Sequence, residues 1–296
     1  MPESQPQFTL GALDLSPVFP GITSSDAIEV TLRLAPELEG LGYSRYWLAE
    51  HHGPKVGHSS PELLAPVIAE RTKRMRVGVA GILLRFYSPF KVAKDFRLLH
   101  SVFPGRIDLG IARGTVPEQE LLLLRDGPRI DVNFEKKVSD LVSFLRGTAE
   151  APANPLDVPP PQIWMLGSST SSMRLATIYG TAFCFACFLA NPAVTPASVL
   201  SAYRSEFTPS LDCPEPKCSI AVAGVCARTD ARAVELINQE TPIGVSSTVV
   251  GSPQSCVRKI RELHSETGVT EFIFLDMAQQ FEDKLESYRL LAEALL

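Results

Sequence analysis

The sequence predicts an α/β fold, a closed (β/α)8 barrel. Three observations support this. A length of 296 residues suits one such barrel. Short apolar, β-branched runs alternate with amphipathic stretches, which is typical of a parallel sheet. The sequence contains neither G-x-G-x-x-G nor G-x-x-x-x-G-K-[ST], the glycine motifs common in a doubly wound open sheet, which is the alternative. We therefore expect residues 1–296 to form a single domain.

Eight stretches read as strands because they are short, apolar and bounded by polar or glycine-rich turns. In chain order these strands are predicted at 8–18, 44–50, 75–84, 105–114, 163–169, 181–190, 217–227 and 270–278. The amphipathic stretches between and after them read as helices. In chain order these helices are predicted at 25–41, 61–74, 89–103, 133–147, 170–180, 195–207, 230–239, 252–268 and 281–296.

Local signals set several helix ends. Ser24, Ser25 or Asp26 is expected to cap the first helix. Pro61 stands in the first turn of the second helix, where proline is tolerated, and Gly147 ends the fourth. Pro36 is predicted to kink or break the first helix, since an interior proline removes a hydrogen bond. The proline-rich stretch 151–162 is expected to be a surface loop rather than a domain linker, because the alternation resumes after it.

Composition excludes several classes of protein. A net charge of −5 without basic runs argues against nucleic-acid binding. No signal peptide is recognisable and no apolar stretch reaches about 18 residues, so we expect a cytoplasmic protein without a membrane span. The six cysteines show no zinc-finger spacing and are expected to be reduced.

Polar residues follow the predicted strands at the ends where barrel active sites lie. The fifth strand runs into Gly167-Ser168-Ser169-Thr170-Ser171-Ser172, which opens a helix. A helix N-terminus offers free N–H groups and partial positive charge to a phosphate. Arg113 ends the neighbouring fourth strand, so the two predict a phosphate clamp. Ordinary N-capping and a surface or ion-paired arginine are the alternatives.

The second strand ends in Glu50-His51-His52. Adjacent histidines in an extended strand point to opposite faces, which disfavours a shared metal. His58, on the following loop, is a poor third ligand, so we expect no metal. Catalysis by a histidine that holds or passes a proton is favoured. The alternative is a histidine that only hydrogen-bonds the strand end.

Several motifs resemble the bacterial luciferase-like flavin monooxygenases: "RYWLAEHHG", "RVGVAGILL", "SPFKVAKDF", "FPGRIDLGIARG", "WMLGSSTSS" and "VVGSPQSCVRKI". The resemblance covers most of the chain. It implies a (β/α)8 barrel that binds reduced FMN, which reacts with O2 to give a C4a-hydroperoxide that oxygenates an organic substrate. A separate NAD(P)H:flavin reductase is implied as the source of reduced FMN.

The resemblance also implies roles for individual residues. Arg113, Ser169 and Ser172 match positions that hold the FMN phosphate, together with Gly167 and the backbone N–H groups of Ser168 and Ser169. Ala80 and Gly81 match a site near the flavin ring where the family often has a cis peptide. Glu50 matches a position near the flavin, and His51 matches the catalytic histidine.

Two departures from the family pattern stand out. Ala112 occupies the position where light-emitting members carry a reactive cysteine, which weakens a luciferase interpretation. Residues 240–248 form only a short connector after the seventh strand, where longer relatives carry a large insertion that includes a lid.

We therefore expect an FMN-dependent monooxygenase that acts on a small hydrophobic substrate. Phe86, Tyr87 and the strand end "FACFLA" suggest an apolar, partly aromatic pocket, and packing in the core is the alternative for these residues. Alternatives are hydride transfer with a deazaflavin or flavin, and a non-enzymatic flavin-binding protein. The resemblance further implies a homodimer formed through the helices at 61–74 and 89–103.

Overall fold

The computed structural model describes residues 7–114, 116, 118–125, 133–189, 194–237, 245–246 and 248–296. Its strands are β1 Thr9–Asp14, β2 Arg45–Leu48, β3 Arg76–Leu83, β4 Ile107–Ala112, β5 Gln162–Gly167, β6 Ala182–Ala186, β7 Cys218–Cys226, β8 Val249–Gly251 and β9 Glu271–Asp276. Its helices are α1 Ser24–Gly40, α2 Pro61–Arg71, α3 Pro89–Val102, α4 Glu118–Arg125, α5 Phe134–Arg146, α6 Thr170–Tyr179, α7 Pro196–Glu206, α8 Asp230–Ile237, α9 Pro253–Thr267 and α10 Phe281–Leu295, with a 3₁₀ turn at Leu84–Phe86.

Eight parallel strands close into a barrel, which confirms the predicted fold. β1 to β7 pair in order, β7 pairs with β9, and β9 pairs with β1. The additional strand β8 was not predicted; it pairs only with β7, through Gly224 opposite Val249 and Cys226 opposite Gly251. All barrel strands therefore end at the same rim.

The alternation of side chains divides the core into two shells. In β1, Leu10 and Ala12 point outward against the helices, whereas Leu13 points into the barrel. The inner shell includes Trp47 and Trp164, whose ring centroids lie 5.1 Å apart in an edge-to-face arrangement.

A buried charge network fills the barrel at the amino ends of the strands. Asp108 accepts hydrogen bonds from Arg45, from Arg76 and, at 2.9 Å, from Trp47 Nε1. Arg45 also pairs with Glu271 at 2.7 Å. Burial alone would raise the pKa of Asp108, but the charges of Arg45 and Arg76 outweigh it and lower that pKa. In this network, the barrel plug, the buried charges are paired and hydrogen-bonded, so removing one partner would leave a buried charge uncompensated.

The helix ends differ in part from the expectations. We predicted a kink or a break at Pro36; helix α1 continues through this residue, so a break is ruled out. The proline leaves the Leu32 carbonyl without its helical donor, and Arg71 Nη1 donates to that oxygen at 3.3 Å. The cap of α1 is Thr23, in a capping box with Asp26, rather than the three residues proposed. Pro61 and Gly147 lie where they were predicted, at the first turn of α2 and after α5.

The proline-rich stretch is attached to the barrel helices. Buried Arg97 on α3 donates to the carbonyl oxygens of Pro155, Val158 and Leu145. Its side chain thus connects this stretch to the end of α5, which agrees with a surface loop. Among the described residues, no helix is long and apolar enough to cross a membrane.

Candidate active site

A cavity of about 550 Å³ opens at the carboxyl ends of the barrel strands. All nine candidate residues line it: Glu50, His51, Ala80, Gly81, Arg113, Gly167, Ser168, Ser169 and Ser172. They come from β2, β3, β4 and β5, which are neighbours in the barrel. The sequence-predicted residues are thus brought together in one site.

One end of the cavity has the features of an anion site. Arg113, directly after β4, is exposed, and its guanidinium carbon lies 5.0 Å from the centroid of the Phe134 ring. Within the described ranges it forms no ion pair. Ser169 is the N-cap of α6, and its hydroxyl accepts from Ser172 N at 3.5 Å and contacts Ser171 Oγ at 2.9 Å. A cation and the positive end of a helix therefore share this end of the cavity.

The glycines of this region allow close approach of the backbone. A Cβ on Gly167 would lie 2.5 Å from Ser172 Oγ. A Cβ on Gly81 would lie 2.7 Å from Leu166 Cδ1 and 2.9 Å from the Gly110 carbonyl oxygen. The Ala80–Gly81 peptide is cis, as the family resemblance implied. A side chain would have no room at Gly81 or Gly167, so the backbone forms the wall at these two positions.

Glu50 is 3% exposed and its carboxylate is fully hydrogen-bonded. Oε2 accepts from the Leu83 N–H at 2.8 Å, and Oε1 accepts from the Tyr87 hydroxyl at 2.7 Å. His52 Nε2 lies 2.9 Å from the same Oε1. These contacts connect the end of β2 to the segment after β3, so Glu50 orders the cavity wall.

His51 is half-buried and lines the cavity. Burial lowers the pKa of His51, and the neighbouring His52 lowers it further. Neither ring nitrogen hydrogen-bonds to another described residue. His51 therefore presents a neutral imidazole to the cavity at neutral pH, able to accept or donate a proton.

His52 points away from the cavity lining and lies between two carboxylates. Besides Glu50, it contacts Glu120 on α4, with 3.3 Å between His52 Nδ1 and Glu120 Oε2. The sequence did not reveal this contact or the Tyr87–Glu50 bond, because neither follows from strand or helix spacing. His58 is elsewhere: both of its ring nitrogens are buried, without a hydrogen-bond partner in the described chain.

The rest of the cavity is apolar. Its wall combines small side chains with a few large ones: Leu13, Leu15, Trp47, Ala49, Leu83, Ala112, Leu166, Cys184, Ala186, Phe188, Leu189, Ala221 and Val245. The aromatic residues are Trp47 and Phe188; Phe86 and Tyr87, which we had expected there, do not line it. Phe188 lies in the predicted "FACFLA" strand end. Most of the connector 240–248 lies outside the described residues.

No metal site competes with this cavity in the part of the chain that the structure describes. There, no group of three or more His, Cys, Asp or Glu side chains could hold a metal ion.

Comparisons with known proteins agree with this architecture. A family described as luciferase-like monooxygenase matches residues 8–243. The uncharacterized protein YwcH of Bacillus subtilis (strain 168) is 33% identical over 330 residues, covering 97% of this chain and 98% of that protein. The crystal structure of apo-MsnO8 superposes with a TM-score of 0.88 at 29% identity, covering 98% of this chain and 99% of that one.

A more distant structure shares the fold. It is the oxygenating constituent of 3,6-diketocamphane monooxygenase from the CAM plasmid of Pseudomonas putida, a type II Baeyer-Villiger monooxygenase in complex with FMN. Its TM-score is 0.75 at 17% identity, with 98% of each chain covered.

Proposed function

Since this chain belongs to the luciferase-like monooxygenase family, we propose that it is an FMN-dependent monooxygenase that inserts oxygen from O2 into a small hydrophobic molecule. The observation that carries the proposal is that Arg113, the first turn of α6 and a neutral His51 all line one cavity.

The residues present fit a flavin mononucleotide. The phosphate would be held by Arg113, by the hydroxyls of Ser169 and Ser172 and by N–H groups at the start of α6, where a helix favours an anion. Gly167 leaves room there, since a Cβ would collide with Ser172 Oγ. The ring would lie against the wall at Ala80–Gly81, where only a methyl group and a glycine are present. When bound, reduced FMN would supply the electrons that activate O2.

His51 would move a proton in this reaction. It is the histidine of the described cavity wall, its ring nitrogens have no hydrogen-bond partner among the described residues, and burial lowers its pKa. A neutral imidazole can accept a proton from the substrate and return it later. Glu50 would act beside it by holding the wall, because donors occupy both of its oxygens.

The cavity wall favours an uncharged substrate. Arg113 is the basic side chain of the lining and would be neutralised by the phosphate. Among the described lining residues there is no other Lys or Arg, so a substrate carboxylate would find no further cation there. A hydrophobic molecule with few polar groups fits the small and aromatic side chains. Reduced flavin would come from a separate reductase, because the sequence has no nicotinamide-binding motif.

The test uses the purified chain with a flavin reductase, NADH, FMN and ¹⁸O2 on a panel of hydrophobic aldehydes, ketones and polycyclic aromatics. We expect ¹⁸O in a product, and we expect His51→Gln to lower turnover by about 10²–10⁴-fold without changing FMN affinity. The matched control is His264→Gln on α9, whose ring lies outside the cavity.

Other outcomes select other functions. Substrate turnover with reduced deazaflavin in the absence of oxygen would mean hydride transfer. Tight FMN binding without product or oxygen uptake from any substrate would mean a flavin-binding protein without oxygenase activity.

A further inference from the structure

A second pocket lies at the end of the barrel opposite the candidate active site. Its volume is about 540 Å³, and residues at the amino ends of the neighbouring strands β2, β1, β9 and β7 line it. We propose that this pocket, the amino-end pocket, binds a phosphate group through Arg45, Arg204 and Lys217. The phosphate is either free or part of a small organic molecule. The inference does not rest on the function proposed for the other cavity.

The amino-end pocket has an excess of positive charge. Arg45, Arg204 and Lys217 line it together with one carboxylate, that of Glu271. Glu271 is already paired with Arg45, with 2.7 Å between Glu271 Oε1 and Arg45 Nε. Within the described residues, neither Arg204 nor Lys217 forms an ion pair. Two positive charges at this pocket are therefore not compensated by a described acid.

Arg45 belongs both to the pocket and to the barrel plug. It is 3% exposed, its Nε donates to Glu271, and its Nη1 donates to Asp108. Asp108 also pairs with Arg76, so the two acids of the plug are balanced by its two arginines. Nη2 of Arg45 forms no hydrogen bond with a described residue. A buried arginine thus has donor capacity left at the pocket wall, which a phosphate oxygen would use.

Arg204, on α7, is held in place by neutral acceptors. Its Nη1 donates to the Thr267 carbonyl oxygen at 2.7 Å, and its Nη2 lies 3.3 Å from the Cys218 sulfur. Thr267 is the last residue of α9, where the helix dipole favours a cation. These contacts orient the guanidinium but leave its charge and further N–H donors for a ligand.

Lys217 directly precedes β7, and its backbone is fixed on both sides. Its N–H donates to the Tyr203 hydroxyl at 3.2 Å, and its carbonyl oxygen accepts from the Phe183 N–H at 2.9 Å. Its Nζ donates to Gln162 Oε1 at 3.0 Å, which is again a neutral acceptor. An ammonium group has three donors, so two remain for an anion.

The surroundings of Lys217 disfavour its charge, which an anion would correct. Partial burial and the charges of Arg45 and Arg76 lower the pKa of Lys217, and Glu271 and Asp108 offset only part of this effect. A phosphate beside the ammonium stabilises the charged form and so raises that pKa. Phosphate affinity should in turn fall as the pH rises through the Lys217 midpoint.

Phosphate matches this pocket better than a carboxylate does. Two uncompensated positive charges balance a phosphate dianion, whereas a carboxylate would balance only one. The hydroxyl-bearing residues Thr9 and Thr270 also line the pocket and add donors for the additional oxygens. The volume leaves room for an organic group attached to the phosphate.

The first test is a calorimetric titration of the cofactor-free Arg113→Ala protein, which lacks the cation of the other cavity. The probes are inorganic phosphate, glycerol 3-phosphate and acetate. We expect one saturable site for the phosphates and weaker binding of acetate. Lys217→Gln combined with Arg204→Gln should weaken phosphate binding by about tenfold or more, because two charge-assisted contacts are lost.

The matched control is Lys259→Gln, an exposed lysine of α9 that pairs with Glu262, and it should bind phosphate as before. Circular dichroism checks that the double variant is folded. Whichever phosphate binds more tightly identifies the source, free or organic. Absence of saturable phosphate binding, acetate binding as tight as phosphate binding, or unchanged affinity in the double variant would overturn the proposal.

The second test needs no substitution. The pH dependence of lysine acetylation by acetic anhydride is followed by mass spectrometry in the cofactor-free wild type. The Lys217 midpoint should lie below that of Lys259, and inorganic phosphate should raise the Lys217 midpoint alone. A Lys217 midpoint that phosphate leaves in place would contradict binding at this pocket. Because no flavin is present, both tests are independent of whether the chain binds FMN.

Discussion

At the scale of single residues, the charged side chains that line the cavity differ in burial and in the partners they contact. Arg113 is exposed and pairs with no described acid, so its charge is available to a ligand. Glu50 is buried and committed to three partners. The same end of the barrel therefore contains Arg113, which is available to bind a ligand, and Glu50, which holds the cavity wall in place.

We predict that Arg113→Ala weakens FMN binding by about 2 kcal/mol or more, roughly thirtyfold in Kd, because a charge-assisted phosphate contact is lost. A fluorescence titration of FMN measures this. Arg174→Ala, an exposed arginine of α6 outside the cavity lining, is the control and should bind as the wild type does. Unchanged affinity in Arg113→Ala would refute the phosphate assignment.

A second residue-scale prediction concerns His58 and acid stability. Burial lowers the pKa of His58, an effect that the Asp14 charge only partly offsets. The unfolded chain then binds the proton at higher pH than the folded chain, so stability is lost as pH falls below the ordinary value of about 6.5. Between about pH 7.5 and pH 5.5, His58→Leu should lose less stability in urea than the wild type.

The measurement for His58 is the difference between the two pH values, so a constant packing effect of the substitution cancels. An equal loss of stability in His58→Leu and the wild type would show that His58 does not contribute to the acid sensitivity.

At the scale of elements, strand β8 shows what local patterns miss. It has three residues, too few for an alternation to be recognised, and it forms because β7 offers it a free edge at Gly224–Cys226. Helix α4 was also missed, since its run Leu121–Leu124 has no clear cap in the sequence. The eight barrel strands were predictable because each lies in a short apolar run next to an amphipathic stretch.

Gly224 gives the element-scale prediction. A Cβ on this residue would lie 1.7 Å from the Val249 carbonyl oxygen, so β8 or β7 would have to move. We expect Gly224→Ala to lower the free energy of unfolding by about 1–3 kcal/mol or more. Gly40→Ala at the end of α1, where a Cβ would meet nothing within 4 Å, is the matched control and should be neutral or stabilising. Equal unfolding midpoints for the two variants would contradict the close packing of β7 and β8.

The candidate site was predictable to the extent that it follows from the barrel. Residues at the carboxyl ends of neighbouring strands must converge, and the nine candidates do. The partners of Glu50 were not predictable, because Tyr87 reaches it from the segment after β3 and His52 joins it to α4. Such contacts depend on how loops fold over the rim, for which the sequence has no periodic signal.

At the scale of the whole molecule, two neighbouring helices expose apolar side chains at helical spacing. On α2 these are Leu63, 68% exposed, and Val67; on α3 they are Leu98 and Val102. Residues four apart lie on one face of a helix. We propose that these faces form the homodimer interface, within a chain that folds as one domain.

The dimer prediction is tested by sedimentation. The wild type should sediment as a dimer, and Leu63→Glu combined with Leu98→Glu should sediment as a monomer with an unchanged circular dichroism spectrum, since burying unpaired charge costs several kcal/mol. Leu211→Glu, in a fully exposed loop position, is the control. A monomeric wild type at micromolar concentration would rule out this interface.

The barrel plug limits the routes by which molecules can enter and leave the cavity. Arg45, Asp108 and Trp47 of the plug, together with Trp164 of the inner shell, fill the barrel below the cavity, because all four are almost completely buried. Under the proposed function, cofactor, substrate, oxygen and product would therefore share the entrance at the carboxyl ends of the strands. A molecule seated near the entrance blocks whatever lies deeper, which imposes an order of arrival and departure. If the cavity has a single entrance, substrate that enters before the flavin will block flavin binding. We therefore expect inhibition at high substrate concentration.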